Sequence, residues 1–201
     1  SRQTGSVNTI INNNGRLLGD TTDGAGFLHS AQDQWGSLAN SRALILGAGG
    51  SARAVCVALV DIGCRIIIAN RTVTRAQALA EMLMNYKSDC KIEILDNQSD
   101  DMIEAVGSSD LIVNTTSVGM SPKPDGIPLN PDLLKPSHLV YDLIYSPLDT
   151  RLVSEARNRG ASAASGLRML VYQGAESFKM WTGIYPPVDI MEKALLEVIN
   201  R

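Results

Sequence analysis

The sequence has 201 residues, of which 44% are hydrophobic and 19% charged, and its formal net charge is −3. This length suits one well-filled globular domain, or one domain together with part of another. It has no run of 18 apolar residues and no apolar signal-peptide core near its start, so we expect a cytoplasmic protein that neither enters a membrane nor is secreted.

Residues that bind metals or form disulfides are sparse. Cys56, Cys64 and Cys90 lack metal-ligand spacing, and the only histidines are His29 and His138. We therefore expect neither a metal site nor a disulfide, and Cys56 lies in an apolar helical pattern that is typical of a buried thiol. Without a concentrated basic stripe, nucleic acid is not expected as a partner.

The first 40 residues predict a β-hairpin followed by a linking helix. Apolar segments at 7–11 and 16–18 flank Asn12-Asn13-Asn14-Gly15, and Asn-Gly is a strong hairpin signal because it tolerates positive φ. The linking helix is expected from Gly24 to about Trp35. A two-stranded ribbon is only marginally stable alone, so the hairpin is interpreted as the edge of a larger unit.

From Arg42 onwards, short apolar segments alternate with amphipathic helical patterns, which is typical of a parallel sheet with crossover helices. The prediction is an α/β fold with a doubly wound, Rossmann-like, mostly parallel sheet that has helices on both faces and is preceded by the hairpin. The predicted strands are 43–47, 65–69, 91–95, 110–114, 139–143 and 161–165. The predicted helices are 50–62, 73–86, 99–106 and 149–159, with two C-terminal helices at about 168–182 and 188–200.

A glycine-rich turn joins the first strand of this sheet to its helix. It contains Gly47, Ala48, Gly49, Gly50 and Ser51. Such a turn lets the backbone approach a pyrophosphate, and the N–H groups and dipole of the helix N-terminus favour the anion. The turn therefore predicts a nucleotide site.

The end of the next strand indicates which nucleotide binds. Asn70-Arg71-Thr72 begins 23 residues after Gly47, where the adenine ribose of a dinucleotide would lie. An acidic residue there would bind the 2′-hydroxyl of NAD, whereas Arg71 and Arg75 would neutralise a 2′-phosphate. The predicted cofactor is NADP.

Later strand ends carry further candidates for cofactor contacts. Thr115, Thr116 and Ser117 follow a strand at the edge where open α/β sheets bind ligands, although a polar turn that caps a helix would look the same. Met120 can form a wall of that pocket. Leu143 can pack near the nicotinamide or simply in the core. Gly166 can let the backbone approach the carboxamide, or be the glycine of an ordinary strand-to-helix turn.

Together, these motifs resemble those of the shikimate dehydrogenase family, in that family's order and across essentially the whole chain. They are Gly5-Ser6-Val7-Asn8-Thr9, Thr22-Asp23-Gly24, the Gly47 turn, Asn70-Arg71-Thr72, Asn114 through Met120, Tyr141-Asp142-Leu143-Ile144-Tyr145 and Gly166 through Gly174. The resemblance implies reduction of 3-dehydroshikimate to shikimate with NADPH. It also implies that residues 1–22 are the edge of a substrate domain, and that 23–201 hold the linking helix, the NADP domain and the C-terminal helices.

The resemblance also assigns roles to individual residues. Asp23 becomes the catalytic carboxylate, which hydrogen-bonds a substrate hydroxyl and pairs with a lysine; from the local pattern alone it is a helix N-cap. The resemblance places Met169 beside the cofactor. Glu176 and Lys179, on the same helix as Gln173, are interpreted as charges on an exposed helix face. The residues implied to bind substrate are Asn8, Thr22, Asp23, Tyr145 and Gln173.

The family's lysine has no counterpart in this sequence, whose first lysine is Lys87. We therefore expect either a fragment of a longer enzyme or an isolated cofactor domain, inactive alone. The family more often has asparagine in place of Thr21. Two alternatives remain, a non-catalytic NADP-binding module and a quinate/shikimate dehydrogenase. Glutamyl-tRNA reductase shares the glycine turn, but Thr22-Asp23-Gly24 and Tyr172-Gln173-Gly174 argue against it. The hairpin is expected to be mobile or to contact a second copy in a homodimer.

Overall fold

The computed structural model describes residues 5–199, which begin with the hairpin. Strands β1 (Thr9–Asn13) and β2 (Arg16–Asp20) pair antiparallel from Thr9↔Asp20 to Asn13↔Arg16. The connecting turn is Asn14-Gly15, with φ angles of 51° and 88°. The Asn-Gly hairpin signal is thus confirmed, but the first strand begins two residues later than the apolar pattern suggested, so Val7 lies outside it.

The other strands form one six-stranded parallel sheet in the order β5-β4-β3-β6-β7-β8. They are β3 (Arg42–Leu46), β4 (Arg65–Ala69), β5 (Ile92–Leu95), β6 (Leu111–Asn114), β7 (Leu139–Asp142) and β8 (Ser162–Ala164). The helices are α1 (Asp23–Trp35), α2 (Gly50–Asp61), α3 (Val73–Tyr86), α4 (Asp101–Gly107), α5 (Arg151–Asn158), α6 (Leu167–Thr182) and α7 (Val188–Ile199). The doubly wound α/β prediction is confirmed. The strand order reverses between β3 and β6, where ligands bind in such sheets.

Helices cover both faces of the sheet, as the continuous apolar strands predicted. Side chains alternate along β3: Ala43 and Ile45 face a core built with Phe27 of α1, while Leu44 and Leu46 face a core built with Leu152 of α5. These four side chains of β3 are all buried. Burial on both faces explains why the strands carry no polar alternation.

Most element ends agree with the prediction to within two residues, and the differences have local causes. The strand β3 ends at Leu46 because Gly47 turns the chain at a φ of 109°. Helix α5 begins at Arg151 and not at residue 149, because the Thr150 hydroxyl accepts a hydrogen bond from the Val153 N–H at 3.3 Å and caps the helix.

Helix α1 crosses α6 at very close range. A Cβ on Gly26 would lie 2.7 Å from the backbone nitrogen of Gln173. Only glycine allows this approach, which brings the start of α1 beside Gln173. Within residues 5–199, no helix has both the length and the apolar content needed to cross a lipid bilayer.

Candidate functional site

The Gly47 turn lies at the carboxyl edge of the sheet, between the ends of two neighbouring strands. The Gly47 N–H donates to the Ala69 carbonyl at 2.8 Å, and the Thr115 N–H donates to the Leu46 carbonyl at 2.9 Å. A Cβ on Gly47 would lie only 2.7 Å from Thr115 Oγ1, and its φ is positive. The chain's own packing therefore requires glycine at this position.

Gly49 and Gly50 differ from Gly47, because no neighbour among residues 5–199 requires them to be glycine. A Cβ on either residue would meet no described atom within 4 Å, and Gly49 has an ordinary φ of −89°. Helix α2 begins here with no side-chain cap and no acidic residue in its first turn. Open space in front of uncapped N–H groups fits a bound pyrophosphate. Ala48 of the same turn is half-buried against the core.

The two arginines predicted to bind the 2′-phosphate are exposed beside this turn. Asn70 directly follows Ala69, the residue that Gly47 contacts, and its side-chain amide donates to the Thr72 carbonyl at 2.8 Å. This bond shapes the exposed segment that contains Arg71 and leads into α3. Among the described residues, neither Arg71 nor Arg75 forms an ion pair, so both charges are available to an anion.

A first cavity, of about 440 Å³, opens between the segments that follow β6 and β7; we call it the threonine cavity. Its lining contains the predicted Thr115, Thr116, Ser117, Met120 and Leu143. Sequence reasoning missed four further lining positions or assigned them elsewhere. They are Ser121, Ile144, Tyr145 and Ser146.

A second cavity, of about 270 Å³, adjoins the first; we call it the carboxylate cavity. It is lined by Asn8, Asp23, Ser51, Leu143, Tyr145, Gly166, Met169, Leu170 and Gln173. Ser51, Leu143 and Tyr145 line both cavities. Ligands in the two cavities would therefore share three wall residues.

Asn8 joins three distant parts of the chain at the carboxylate cavity. Its amide nitrogen donates to Asp23 Oδ1 at 2.7 Å and to Gln173 Oε1 at 3.3 Å, and its oxygen accepts from the Thr22 N–H at 3.0 Å. Burial raises the pKa of Asp23, and the hydrogen bond from Asn8 opposes that rise. The site thus holds a carboxylate and two amides, which are suited to binding the hydroxyl groups of a small polar substrate.

The N-cap interpretation of Asp23 is wrong. Thr22 occupies the cap position of α1, Asp23 is the first helical residue, and its carboxylate contacts Asn8. Thr72, like Thr22, is the N-cap residue of the helix that follows it, here α3.

Thr22 and Met169 both lie at the carboxylate cavity, Thr22 behind its lining and Met169 in it. Thr22 is 3% exposed and does not line the cavity; its hydroxyl lies 3.1 Å from both Asn8 Nδ2 and Ser177 Oγ, so it supports Asn8 from behind. Met169 lines the carboxylate cavity and not the threonine cavity. Leu170 and Ser177 were missed, although their spacing from Gln173 of three and four residues places them on the same face of α6.

Two further residues have contacts that the sequence did not reveal. Gly166 packs closely against the backbone of Leu143, since a Cβ at Gly166 would lie 2.0 Å from the Leu143 carbonyl oxygen. Glu176 is not a free surface charge, because its carboxylate lies 3.3 Å from His29 Nδ1 on α1 and its side chain is only 16% exposed. Lys179 is exposed, with its ammonium 5.6 Å from the centre of the Tyr185 ring.

Comparison with known proteins places this site in a family. The model of the Shikimate / quinate 5-dehydrogenase family matches residues 29–136, more than half of the chain. The chain belongs to the shikimate dehydrogenase family. The model of the Shikimate 5'-dehydrogenase C-terminal domain matches residues 166–196, which include Gly166 and Gln173.

Individual members of the family resemble the whole chain. A shikimate dehydrogenase (NADP(+)) of Moorella thermoacetica is 45% identical over 98% of this chain, which spans 66% of that protein's length. A crystal structure of shikimate dehydrogenase in complex with NADP+ superposes with a TM-score of 0.90 at 36% identity, covering 100% of this chain and 69% of that one. A quinate dehydrogenase from Corynebacterium glutamicum in complex with NAD gives a TM-score of 0.90 at 30% identity, covering 98% and 69%.

Proposed function

We propose that this chain binds NADP and contributes the cofactor side of a site that interconverts shikimate and 3-dehydroshikimate. One observation carries the proposal: the threonine and carboxylate cavities meet at Ser51, Leu143 and Tyr145. Hydride transfer needs a nicotinamide and a substrate carbon in contact, and two adjoining cavities provide that arrangement.

The residues of the glycine turn and of the Arg71 segment suit NADP. The space at Gly49 and Gly50 would receive the pyrophosphate on the N-terminus of α2, and Arg71 and Arg75 would bind the 2′-phosphate. When bound, the nicotinamide supplies or accepts the hydride. Thr115, Thr116 and Leu143 would orient the ring side of the cofactor within the threonine cavity.

Asn8, Asp23 and Gln173 would hold the substrate. The Asp23 carboxylate would accept a hydrogen bond from a ring hydroxyl, and the amides of Asn8 and Gln173 would fix the ring beside Tyr145. In the family this carboxylate pairs with a lysine for proton transfer, and among the described residues no lysine lines the carboxylate cavity. The isolated chain is therefore proposed to bind NADP but to turn over shikimate negligibly.

The domain division is also a proposal. Residues 1–22 would be the edge of a substrate domain, and 23–201 the linking helix and NADP domain; residues 1–4 and 200–201 lie outside the described residues. The hairpin forms a sheet of its own and leaves Val7, Ile10 and Leu17 more than half exposed. A further part of the protein, or a second copy in a homodimer, would cover these side chains.

A wider specificity that includes quinate is the second candidate. It is favoured by the match to a shikimate / quinate family model and by the structural similarity to a quinate dehydrogenase. Measuring both substrates under the same conditions separates the two candidates.

The test is a hydride-transfer assay on a fusion that restores the family's preceding segment, taken from the Moorella thermoacetica relative, in front of this chain. NADP+ with shikimate should give NADPH absorbance at 340 nm, and Asp23→Asn should lower the rate by about 10²- to 10⁴-fold. The isolated chain is the control and should bind NADP+ without turnover. A folded fusion that binds NADP+ but oxidises neither shikimate nor quinate would favour a non-catalytic NADP-binding module.

A further inference from the structure

We propose that Asp142 is a positioning residue that holds both walls of the threonine cavity in the geometry that binds NADP. This inference rests on the proposed function, because it concerns the NADP side of the same site. Asp142 is the last residue of β7 and lies directly opposite Asn114, the last residue of β6. Both side chains are fully buried.

The Asp142 carboxylate accepts three hydrogen bonds from three different segments. Oδ1 accepts from the Asn114 side-chain amide at 3.0 Å and from the Ile144 N–H at 3.1 Å. Oδ2 accepts from the Thr150 hydroxyl at 2.6 Å. One carboxylate therefore joins the end of β6, the segment after β7 and the N-cap of α5.

The bond to Asn114 extends into the first wall of the cavity. Asn114 Oδ1 accepts from the Thr116 N–H at 3.0 Å and from the Thr116 hydroxyl at 2.7 Å. The Thr116 hydroxyl in turn accepts from the Val118 N–H at 3.1 Å. The Asn114 amide donates to Asp142 and also to the Val118 carbonyl at 3.3 Å. The conformation of the Thr115–Ser117 wall therefore depends in part on Asp142, a side chain that does not touch the cavity.

The bond to Ile144 holds the second wall. Ile144 lies between Leu143 and Tyr145, and all three line the threonine cavity. Its N–H donates to the same oxygen as the Asn114 amide. Asp142 Oδ1 thus adds a buried side-chain link between the two walls, beside the backbone hydrogen bonds from the Leu143 N–H to the Asn114 carbonyl at 3.0 Å and from the Ser121 N–H to the Ser146 carbonyl at 3.2 Å.

The energetics of Asp142 favour positioning over simple core stability. Within the described residues, no Lys, Arg or His forms an ion pair with this carboxylate, so three neutral donors alone compensate its burial. Burial raises its pKa, which is the sign of a charge that the fold holds at a cost. An apolar pair at 114 and 142 would avoid that cost but would leave the two walls joined by backbone hydrogen bonds alone.

The test combines NADP+ titration calorimetry with thermal unfolding of the same chain. Asp142→Ala leaves three donors without an acceptor and should raise the Kd for NADP+ by about tenfold or more. Asn114→Ala should raise it similarly, since it cuts the link to Thr116 while Asp142 keeps two donors. The double variant should bind no more weakly than the weaker single variant, because both act through one link.

Two further variants separate positioning from stability. Thr150→Val removes only the bond towards α5 and a helix cap, so it should lower the Tm but change the Kd for NADP+ by less than about threefold. Asp142→Asn should also bind NADP+ within about threefold of wild type, because its amide oxygen can accept from Asn114 and Ile144 while the Thr150 hydroxyl turns to accept.

Each outcome decides the inference. Unchanged NADP+ affinity in Asp142→Ala or Asn114→Ala overturns it, as does an equal loss of affinity in Thr150→Val. If Asp142→Ala does not fold, the comparison of Asn114→Ala with Thr150→Val decides. A wild-type chain that does not bind NADP+ would overturn the proposed function and this inference together, whereas normal wild-type binding with unaffected variants overturns only the inference.

Discussion

Arg71 and Arg75 are the residues proposed to select NADP over NAD. Arg71→Ala should weaken NADP+ binding by about tenfold or more and NAD+ binding little, because it removes a charge-assisted contact to the 2′-phosphate alone. Calorimetry with both nucleotides measures the preference.

A matched control for this variant lies at the start of β4, the strand that precedes Arg71. Arg65, also exposed, stands at the opposite end of β4, so Arg65→Ala changes the net charge equally but far from the site. It should leave both affinities unchanged. Equal binding of NAD+ and NADP+ by the wild-type chain would contradict the assignment to Arg71.

Gly49 and Gly26 provide a second contrast between binding and packing. Gly49→Ala should lower the Tm only slightly, since a Cβ there meets no described atom within 4 Å and alanine is merely a poorer N-cap than glycine. It should nevertheless weaken NADP+ binding by occupying the pyrophosphate space. Gly26→Ala should lower the Tm strongly, because its Cβ would lie 2.7 Å from the Gln173 nitrogen. Thermal unfolding and NADP+ titration of the two variants give the comparison. A Gly49→Ala chain with wild-type affinity would argue against a pyrophosphate at this turn.

The buried charge of Asp142 predicts a particular dependence of stability on pH. Burial raises its folded-state pKa above the ordinary 3.8, so the folded chain holds this proton more tightly than the unfolded chain. Its contribution to stability is therefore fully present below pH 3.8 and declines as the pH rises through the raised pKa. Asp142→Asn removes that decline, and its Tm relative to wild type should increase from pH 4 towards neutral pH.

Thermal unfolding at several pH values measures this trend. Asp125→Asn is a suitable control, because it removes one exposed carboxylate elsewhere on the surface. A Tm difference between Asp142→Asn and wild type that stays flat or decreases with pH would show that burial does not raise this pKa.

At the scale of elements, the hairpin differs from the six-stranded sheet. Strands β1 and β2 pair only with each other among the described residues. The hairpin is held to α6 by the Thr9 and Ser177 hydroxyls, 2.6 Å apart, and by the Trp181 indole N–H, which donates to the Ile10 carbonyl at 2.9 Å. Ile10 and Leu17 are nevertheless 60% and 67% exposed.

Hydrogen exchange of the monomeric chain should show this difference. The amides of Thr9, Ile10 and Ile11 should exchange faster than those of the central strand residues Leu44, Ile45 and Leu46, because few buried contacts hold the hairpin. The measurement is made in dilute solution after sedimentation has shown a monomer. Equal protection of the two groups would make the hairpin a self-sufficient part of the domain. Protection that appears only at high concentration would indicate contact with a second copy.

The bounds of an element could be predicted where they depend only on residues within that element. The strand of residues 65–69 and the helix of 73–86 have the predicted bounds, because their apolar patterns and flanking residues lie within the elements themselves. The α5 boundary moved because a single threonine hydroxyl caps it, and β1 began later because antiparallel pairing with β2 sets its register. Hydrophobic patterns alone do not contain these contacts.

At the scale of the whole molecule, the six-stranded sheet places every predicted ligand residue at one edge or beside it. The carboxyl ends of β3, β4, β6 and β7 lead into the glycine turn, the Arg71 segment and the two walls of the threonine cavity. Helix α6 and the hairpin then bring Gln173 and Asn8 to Asp23. The site is thus assembled from segments as far apart as 165 residues.

The amino-acid sequence by itself determined the order of strands and helices, the glycine turn and the Asn-Gly hairpin, because those depend on neighbouring residues. It also contained the family's motifs, which named Asp23 and Gln173. Only the tertiary structure decided that Asp23 contacts Asn8 rather than caps its helix, that Glu176 pairs with His29 and that Thr22 stays behind the cavity. The partners in the first two contacts are 15 and 147 residues apart along the chain, so no local pattern encodes them. Packing of α1 against α6 creates the contact of Glu176 with His29, and the start of the hairpin brings Asn8 to Asp23. Asp142 shows the same limit, because a buried carboxylate that joins three segments looks in sequence like the polar end of a strand.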